Sequence, residues 1–494
     1  MYLGIDLGTS GVKLLLLDDA QAVVATADAA VPQHRPQPAW SEQHPADWWA
    51  AVESAVAQLR AQAPAAWAQV QGIGLSGHMH GAVVLDGQGR VLRPAILWND
   101  GRASAECAQL EAAVPASRQI TGNLAMPGFT APKLLWLRTH EPQVFAQIRT
   151  VLLPKDWLRL QLTGDAVSDM SDASGTLWLD VQARAWSPAM LQSCGLDTSH
   201  MPALAEGSAP TGTLRSDVAR RWGLGGSVVV AAGAGDNAAS AVGVGARTAG
   251  QGFVSLGTSG VVFRVTDAFA PATERAVHAF AHALPQRWHH MSVMLSAASA
   301  FGWVTRLTGQ GDEAQLSDAV GTLSTTRQAQ APLFLPYLSG ERTPHNNAAA
   351  TGVFMGLRAD HEAADLAYAV MEGVGFGLLD GLNAMRAAGT GQGGASGDGD
   401  AALALVGGGA RSNPWAQLLA SALGTPLQRP QGAHAAAALG AARLAAMACG
   451  GDEAPWCQSL PADASFTPQP AQQALLAERY ARFVALYPAL QSQF

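Results

Sequence analysis

The sequence predicts an α/β fold of two related lobes, and three observations carry that expectation. Apolar β-rich runs alternate with helical spacings along the 494 residues, the signature of layered α/β architecture. The hexapeptide Leu7-Gly8-Thr9-Ser10-Gly11-Val12 returns half a chain later as Leu256-Gly257-Thr258-Ser259-Gly260-Val261, each copy between two apolar runs. Hydrophobic residues make up 48% and charged residues 14%, against roughly 25% charged in an average domain, so the chain buries a large core. The repeat favours two domains, 1–245 and 246–494, meeting in the Gly-rich run 243–250.

The elements follow in order. Tyr2–Leu7 and 12–17 are strands joined by a turn of small residues, a hairpin. In 45–62, Trp48, Val52, Ala55, Val56 and Leu59 recur at helical spacing. Strands are expected at 70–75 and 82–85 around the loop 76–81, then a helix at 154–162 and a buried strand at 227–232. The second half repeats the pattern with a strand at 333–338, a long helix at 365–386, a strand at 401–406 and a helix at 414–423. Segment 387–400 reads as a Gly-rich surface insertion with no chemistry to assign. A last amphipathic helix, 472–486, is expected to pack back onto a lobe.

Composition excludes several classes. With 30 basic and 38 acidic residues the net charge is −8, which removes the electrostatic attraction that nucleic-acid binding needs. Four cysteines without a C-x-x-C pair exclude a disulfide scaffold and a Cys-rich zinc module. No basic region precedes Asp6, and the longest apolar runs break at Asp236 and Arg443, so neither a signal peptide nor a membrane span is expected. The expected location is cytoplasmic, without nucleic-acid or membrane partners; a homodimer stays open.

Chemistry concentrates in a few loops. A turn of small residues between strands leaves backbone N–H groups free to cradle phosphate oxygens, with threonine hydroxyls beside them. Lys13, one of three lysines, follows the first such loop, and Asp6, just before it, could hold a hydrated Mg²⁺. Taken singly, each loop is equally an ordinary hairpin turn; the repetition argues for more. Residues 233–238 fit G-x-G-x-x-A and 72–77 fit G-x-G-x-x-G, the dinucleotide fingerprint. Asp236 inside the first is electrostatically wrong for a pyrophosphate cradle, and the second runs into His78-Met79-His80-Gly81 and another strand. An aspartate at the end of a buried strand reads better as a general base facing a substrate hydroxyl. No G-K-[ST] occurs, so ATP would be held without a Walker A loop, by paired strand-turn-strand loops as in actin, Hsp70 and hexokinase. The run 407–413 is either a strand-to-helix turn or a place where glycines let a base approach and a helix N-terminus meets phosphate. His78 and His80 would point the same way on a strand; contact with a polar substrate, a structural role and a metal all remain open, though no third ligand is evident. His289-His290 reads as a packed or solvated pair.

These stretches together resemble the FGGY family of carbohydrate kinases. Two long patterns carry the resemblance, 128–137 and the stretch from Gly352 through Asp365 to Glu372. With 5–13, 77–81, 96–102, 154–157, 168–176, 235–245, 337–347 and 406–413, it covers most of 4–443. The resemblance implies two actin-like, ribonuclease H-like lobes with MgATP and sugar in the cleft between them. It implies Asp236 as catalytic base, Met79, His80 and Asn237 as sugar contacts, and Asp6 as the metal-associated carboxylate. Thr9, Lys13, Gly257 and Thr258 match its phosphate loops; Gly408, Gly409 and Asn413 match its nucleotide pocket. Residues 79–81, 98–100 and 340–347 resemble the branch that phosphorylates D-xylulose to its 5-phosphate. That is the expected activity, against another acceptor (L-ribulose, glycerol, gluconate) or a non-catalytic sugar- and ATP-binding module. His78 departs from the Gln of close relatives, which bears on fine specificity.

Overall fold

The computed structural model describes residues 1–390 and 401–494, and each half of the chain builds its own seven-stranded sheet. Across the first sheet the order is Pro210–Thr213, Val229–Ala231, Gly72–Gly77, Tyr2–Leu7, Gly11–Leu17 and Val23–Ala30, with Ala234–Gly235 also pairing Gly72–Gly77. Tyr2–Leu7 is central, antiparallel to Gly11–Leu17 and parallel to Gly72–Gly77. Side chains alternate across a strand, so its two faces do different jobs. Leu3, Ile5 and Leu7 pack with Trp48, Val52 and Leu59 of the helix Pro45–Gln62. The other face carries Gly4, then Asp6, with Gly74 and Ser76 beside them in register.

The second sheet runs His278–Ala281, Trp288–Met294, Gly260–Thr266, Gly252–Leu256, Leu403–Val406, Leu427–Pro430, Ala462–Phe466. Its largest core includes Trp415 of the helix Asn413–Leu423, the long helix Ala363–Met385, and Leu476, Phe483 and Tyr487 of the terminal helix Pro470–Leu490. The terminal helix thus packs onto the second half. The repeated hexapeptide folds into two different hairpins. Leu7 faces Val12, whereas Leu256 faces Gly260, a register one residue tighter. The second loop is tied down by the start of the helix Ala298–Leu307, since Ala297 and Ala298 donate their N–H groups to Thr258 O (2.9 Å) and Gly257 O (2.8 Å). The first loop closes on itself, Gly8 N–H to Gly11 O at 2.9 Å.

The halves meet through small residues. The helix Ala436–Ala448, late in the chain, lies on the Gly4 face of the first sheet and crosses the helix Asp236–Val244. A Cβ on Gly4 or Gly74 would sit 1.9 Å from the carbonyl oxygens of Ala438 and Ala441, and one on Gly440 1.8 Å from Ala239 O. Backbone therefore touches backbone at this crossing. Arg443 donates to Val242 O (2.9 Å) and Gly243 O (3.1 Å), placing its charge on the carbonyl end of the Asp236 helix.

Two local expectations are corrected. The run after Gly235, read as a loop, begins the helix Asp236–Val244. His78-Met79-His80 is no strand: pairing stops at Gly77, and His80 takes a left-handed φ of 70°, so its ring and that of His78 diverge. Of the insertion expected at 387–400, residues 391–400 lie outside the described residues. Among the described residues, no helix is long and apolar enough to cross a membrane.

Candidate active site

Where the two sheets face each other, a cavity of about 250 Å³ opens. Met79, His80, Asp236 and Asn237 of the first half line it, with Gly257, Ser259 and Arg342 of the second. Asp236 is half-buried in the first turn of its helix, where the helix dipole favours the anion. Its Oδ1 accepts from Asn237 N (2.7 Å) and Asn237 Nδ2 (2.9 Å). Burial, reinforced by the nearby Asp6 charge, outweighs these bonds and lifts its pKa to about 7. A carboxylate tuned to neutrality is suited to take a proton from a hydroxyl.

Asp6 also titrates high because of burial, held back by a hydrogen bond from Ser76 Oγ (2.9 Å) and by the Lys13 charge. Lys13 stands opposite Asp6 in the ladder, and its ammonium reaches across the halves to His434 O at 2.9 Å. No group of three or more metal-ligating side chains occurs among the described residues. The donor set fits Mg²⁺ all the same. That ion keeps most of its waters and takes one or two carboxylates plus substrate phosphates, and here the Asp6 carboxylate lies near enough to act on Asp236 in the cavity wall.

The sugar-side residues are held by a buried lysine, whose pKa burial pushes well down. Lys133, wholly buried, donates to His80 O (2.8 Å) and Gly128 O (2.7 Å), and Thr130 Oγ1 donates to His80 O at 3.1 Å. This grip holds His80 in its left-handed conformation. Burial drives the His80 pKa down to about 3, so the ring is neutral. Its Nδ1 lies 2.7 Å from Gly175 O, which can only accept, so the proton sits on Nδ1 and Nε2 is left to accept from a ligand hydroxyl. Gly175 follows the short helix Met170–Ser174, which also supports the base, because Gly235 N donates to Ser171 Oγ at 3.1 Å. The helix is capped by Asp169, itself 2.7 Å from the buried Lys155 ammonium.

The other expected residues sit around this centre. Thr9 Oγ1 accepts from Trp98 Nε1 at 2.9 Å, fixing the first loop against the cavity wall. Gly257 lines the cavity and Thr258 is exposed beside it. Gly407, with φ 94°, lies against the second loop, where a Cβ would be 2.7 Å from Leu256 O. Gly409 packs on Leu256, whereas a Cβ on Gly408 would meet nothing within 4 Å, so that residue presents an open face. Asn413 opens its helix, its Oδ1 accepting from Arg429 Nη1 at 3.0 Å. Gly408, Gly409 and Asn413 therefore form a turn adjoining the cavity, not its wall. His78 is not part of the wall either. It packs edge-on to Trp48 at 5.8 Å, behind the first loop. The residue at which the chain departs from the family pattern is thus buried and outside the cavity wall.

Family models for the FGGY family of carbohydrate kinases match twice, the N-terminal domain over residues 1–243 and the C-terminal domain over 252–449. The chain belongs to the FGGY family of carbohydrate kinases. It is similar to the xylulose kinase of Escherichia coli (strain K12), 51% identical over 99% of both chains. The xylulose kinase of Klebsiella pneumoniae is 52% identical over 91% of this chain and 90% of its own. Among solved structures, the xyloylose kinase from Brucella ovis superposes with a TM-score of 0.94 at 48% identity, covering 100% of both chains. Like other members of this FGGY family, the chain is an ATP-using sugar kinase of two actin-like lobes. Among the lining residues that sequence reasoning did not assign to the site are Trp98 and Arg342. Both lie in stretches that carried the resemblance, 96–102 and 337–347. Nothing local marks which side chain of such a loop reaches the cavity.

Proposed function

We propose that this kinase transfers the γ-phosphoryl group of ATP to the terminal hydroxyl of D-xylulose, giving D-xylulose 5-phosphate and ADP. The observation that carries this reading is Asp236, tuned to about pH 7 in a cleft shared by both lobes. The sugar hydroxyl gives its proton to Asp236 as its oxygen bonds to the γ-phosphorus. The bond from that phosphorus to the β,γ-bridging oxygen breaks, and ADP leaves. Asn237 keeps the Asp236 carboxylate oriented through its two hydrogen bonds. His80 Nε2 and the loops at Thr9, Lys13, Gly257 and Thr258 hold the sugar and the phosphates. Gly408, Gly409 and Asn413 receive the nucleoside. A divalent ion held by Asp6 and the phosphates would neutralise charge on the transferring group. Closure of the lobes would keep out water, the competing acceptor. The pairing with xylulose kinases at about half identity over the full length supports D-xylulose as the acceptor.

ADP release across a panel of acceptors tests the assignment. D-xylulose should give the highest kcat/KM. Each hydroxyl a rival fails to present strands a buried partner, worth about 5- to 150-fold. A higher kcat/KM with L-ribulose, glycerol or gluconate would overturn D-xylulose as the substrate while leaving a sugar kinase.

A further inference from the structure

Arg342 is half-buried in the cavity wall, and its guanidinium has no hydrogen-bond or ion-pair partner among the described residues. The adjacent carboxylate makes no hydrogen bond or ion pair with it and bears on it only through space. Glu341 is buried, its Oε1 is taken by Arg342 N (2.7 Å) and Leu295 N (3.2 Å), and burial pushes its pKa up to about 8.

The segment is anchored on both sides of Arg342. Thr343 N donates to Val293 O at 3.0 Å and Thr343 Oγ1 to Ala276 O at 2.9 Å, while His345 stacks on Tyr487 of the terminal helix at 3.6 Å. A desolvated cation fixed this firmly without a counter-ion is unfavourable unless a ligand brings acceptors. The position says which ligand atoms. Arg342 belongs to the second half, and its charge bears on His80 and His278 but is not among the causes acting on Asp236. Its influence thus falls on the His80 side of the cavity that both residues line.

We propose that Arg342 is a specificity residue that donates to the C2 carbonyl and C1 hydroxyl oxygens of the bound ketose. This rests on the acceptor reading above. With its terminal hydroxyl at Asp236, a linear ketopentose presents those two adjacent oxygens at its far end. A planar guanidinium fork matches such a pair, which a lysine point charge cannot do. The sugar is then gripped from one lobe by His80 and Asn237 and from the other by Arg342.

The test is steady-state kinetics of Arg342→Gln and Arg342→Lys in the full chain, with D-xylulose and with xylitol, which lacks the carbonyl. Loss of a charge-assisted hydrogen bond predicts a rise in KM for D-xylulose of about 30- to 100-fold in Arg342→Gln and about tenfold in Arg342→Lys. KM for MgATP should stay within about twofold, and the preference for D-xylulose over xylitol should shrink, by less than the KM rises, because xylitol keeps the C1 hydroxyl but offers no carbonyl. A merely structural arginine would not move that ratio. Unchanged KM for D-xylulose in both variants overturns the proposal. So does a kcat loss of about a thousandfold at constant sugar KM, which would place the guanidinium on the transferring phosphoryl group instead. Wild-type protein inert towards D-xylulose would overturn the acceptor assignment itself, and this proposal with it.

Discussion

The pH dependence of turnover gives the sharpest test of the Asp236 assignment. Two causes lift this carboxyl to about 7, burial first and the Asp6 charge second. A base must be ionised to act, so activity is lost as pH falls through the pKa. With a pKa of about 7, roughly one-eleventh of the base is ionised at pH 6 and ten-elevenths at pH 8, so the rate should differ by about tenfold. The measurement is initial ADP release with MgATP and D-xylulose both below their KM values, at constant ionic strength. Under those conditions the free enzyme's titration is what appears. Asp236→Asn cannot accept the proton, and its rate should drop by about 10²-fold or more at pH 8 and lose the acidic limb. Asp6→Asn removes the second cause and leaves the first. Its residual activity, whatever its height, should show the limb displaced to lower pH. A wild-type profile flat between pH 6 and 8, or a limb that persists in Asp236→Asn, would refute the reasoning.

Two further outcomes concern stability. Gly74→Ala puts a methyl carbon 1.9 Å from Ala441 O, so the helix Ala436–Ala448 must lift; the cost should be about 3 kcal/mol, the upper range for overpacking. Thermal melts should show the loss in Gly74→Ala but not in Gly225→Ala, where nothing lies within 4 Å; equal Tm values would contradict the packing described. Acid should destabilise the protein early, because burial holds His78, His80, His278, His282 and His289 neutral, all with lowered pKa values. Unfolded histidine takes a proton near pH 6.5, so the stability these groups contribute is present above that pH and drains away below it, by about 1.4 kcal/mol per pH unit for each net proton. Asp236, Glu341 and Asp380, raised to about 7, 8 and 6, oppose the trend by holding protons in the folded state, as do Asp6, Asp156, Asp172 and Glu372, which burial also raises. A Tm that stays level or rises from pH 6.5 to 5 would show that they prevail.

Much of the fold was legible because local signals agreed with it. The helix Pro45–Gln62 begins on a proline at its first position and keeps its apolar spacing to the end, and its expected bounds are those observed. The hexapeptide repeat marked both loops, since the same small residues close a hairpin in either register. The helix Asp236–Val244 escaped because its alanines, glycines and valines have little polar contrast, so no helical period stands out. The spacing of His78 and His80 suits a strand's alternation, which the left-handed turn at His80 abolishes. At the site, Asp236, Asn237, His80 and Gly257 were anticipated and share one cavity. Arg342 was not, because its place depends on anchors at Ala276, Val293 and Tyr487, which are distant in sequence.

The seating of the helix Ala436–Ala448 on the first sheet has a consequence for how the protein is made. A ribosome that has released residues 1–245 has finished every strand of that sheet. The cover for its Gly4 and Gly74 face is still some 200 codons away. At about 5–20 residues per second that wait is roughly 10–40 s, far longer than the collapse of a chain this size. The first lobe must therefore pass through synthesis with one face of its central strands bare, and it acquires its final form only when the second half docks. Expressing residues 1–245 alone would freeze the molecule at that stage, with Asp6 on the central strand of an uncovered sheet.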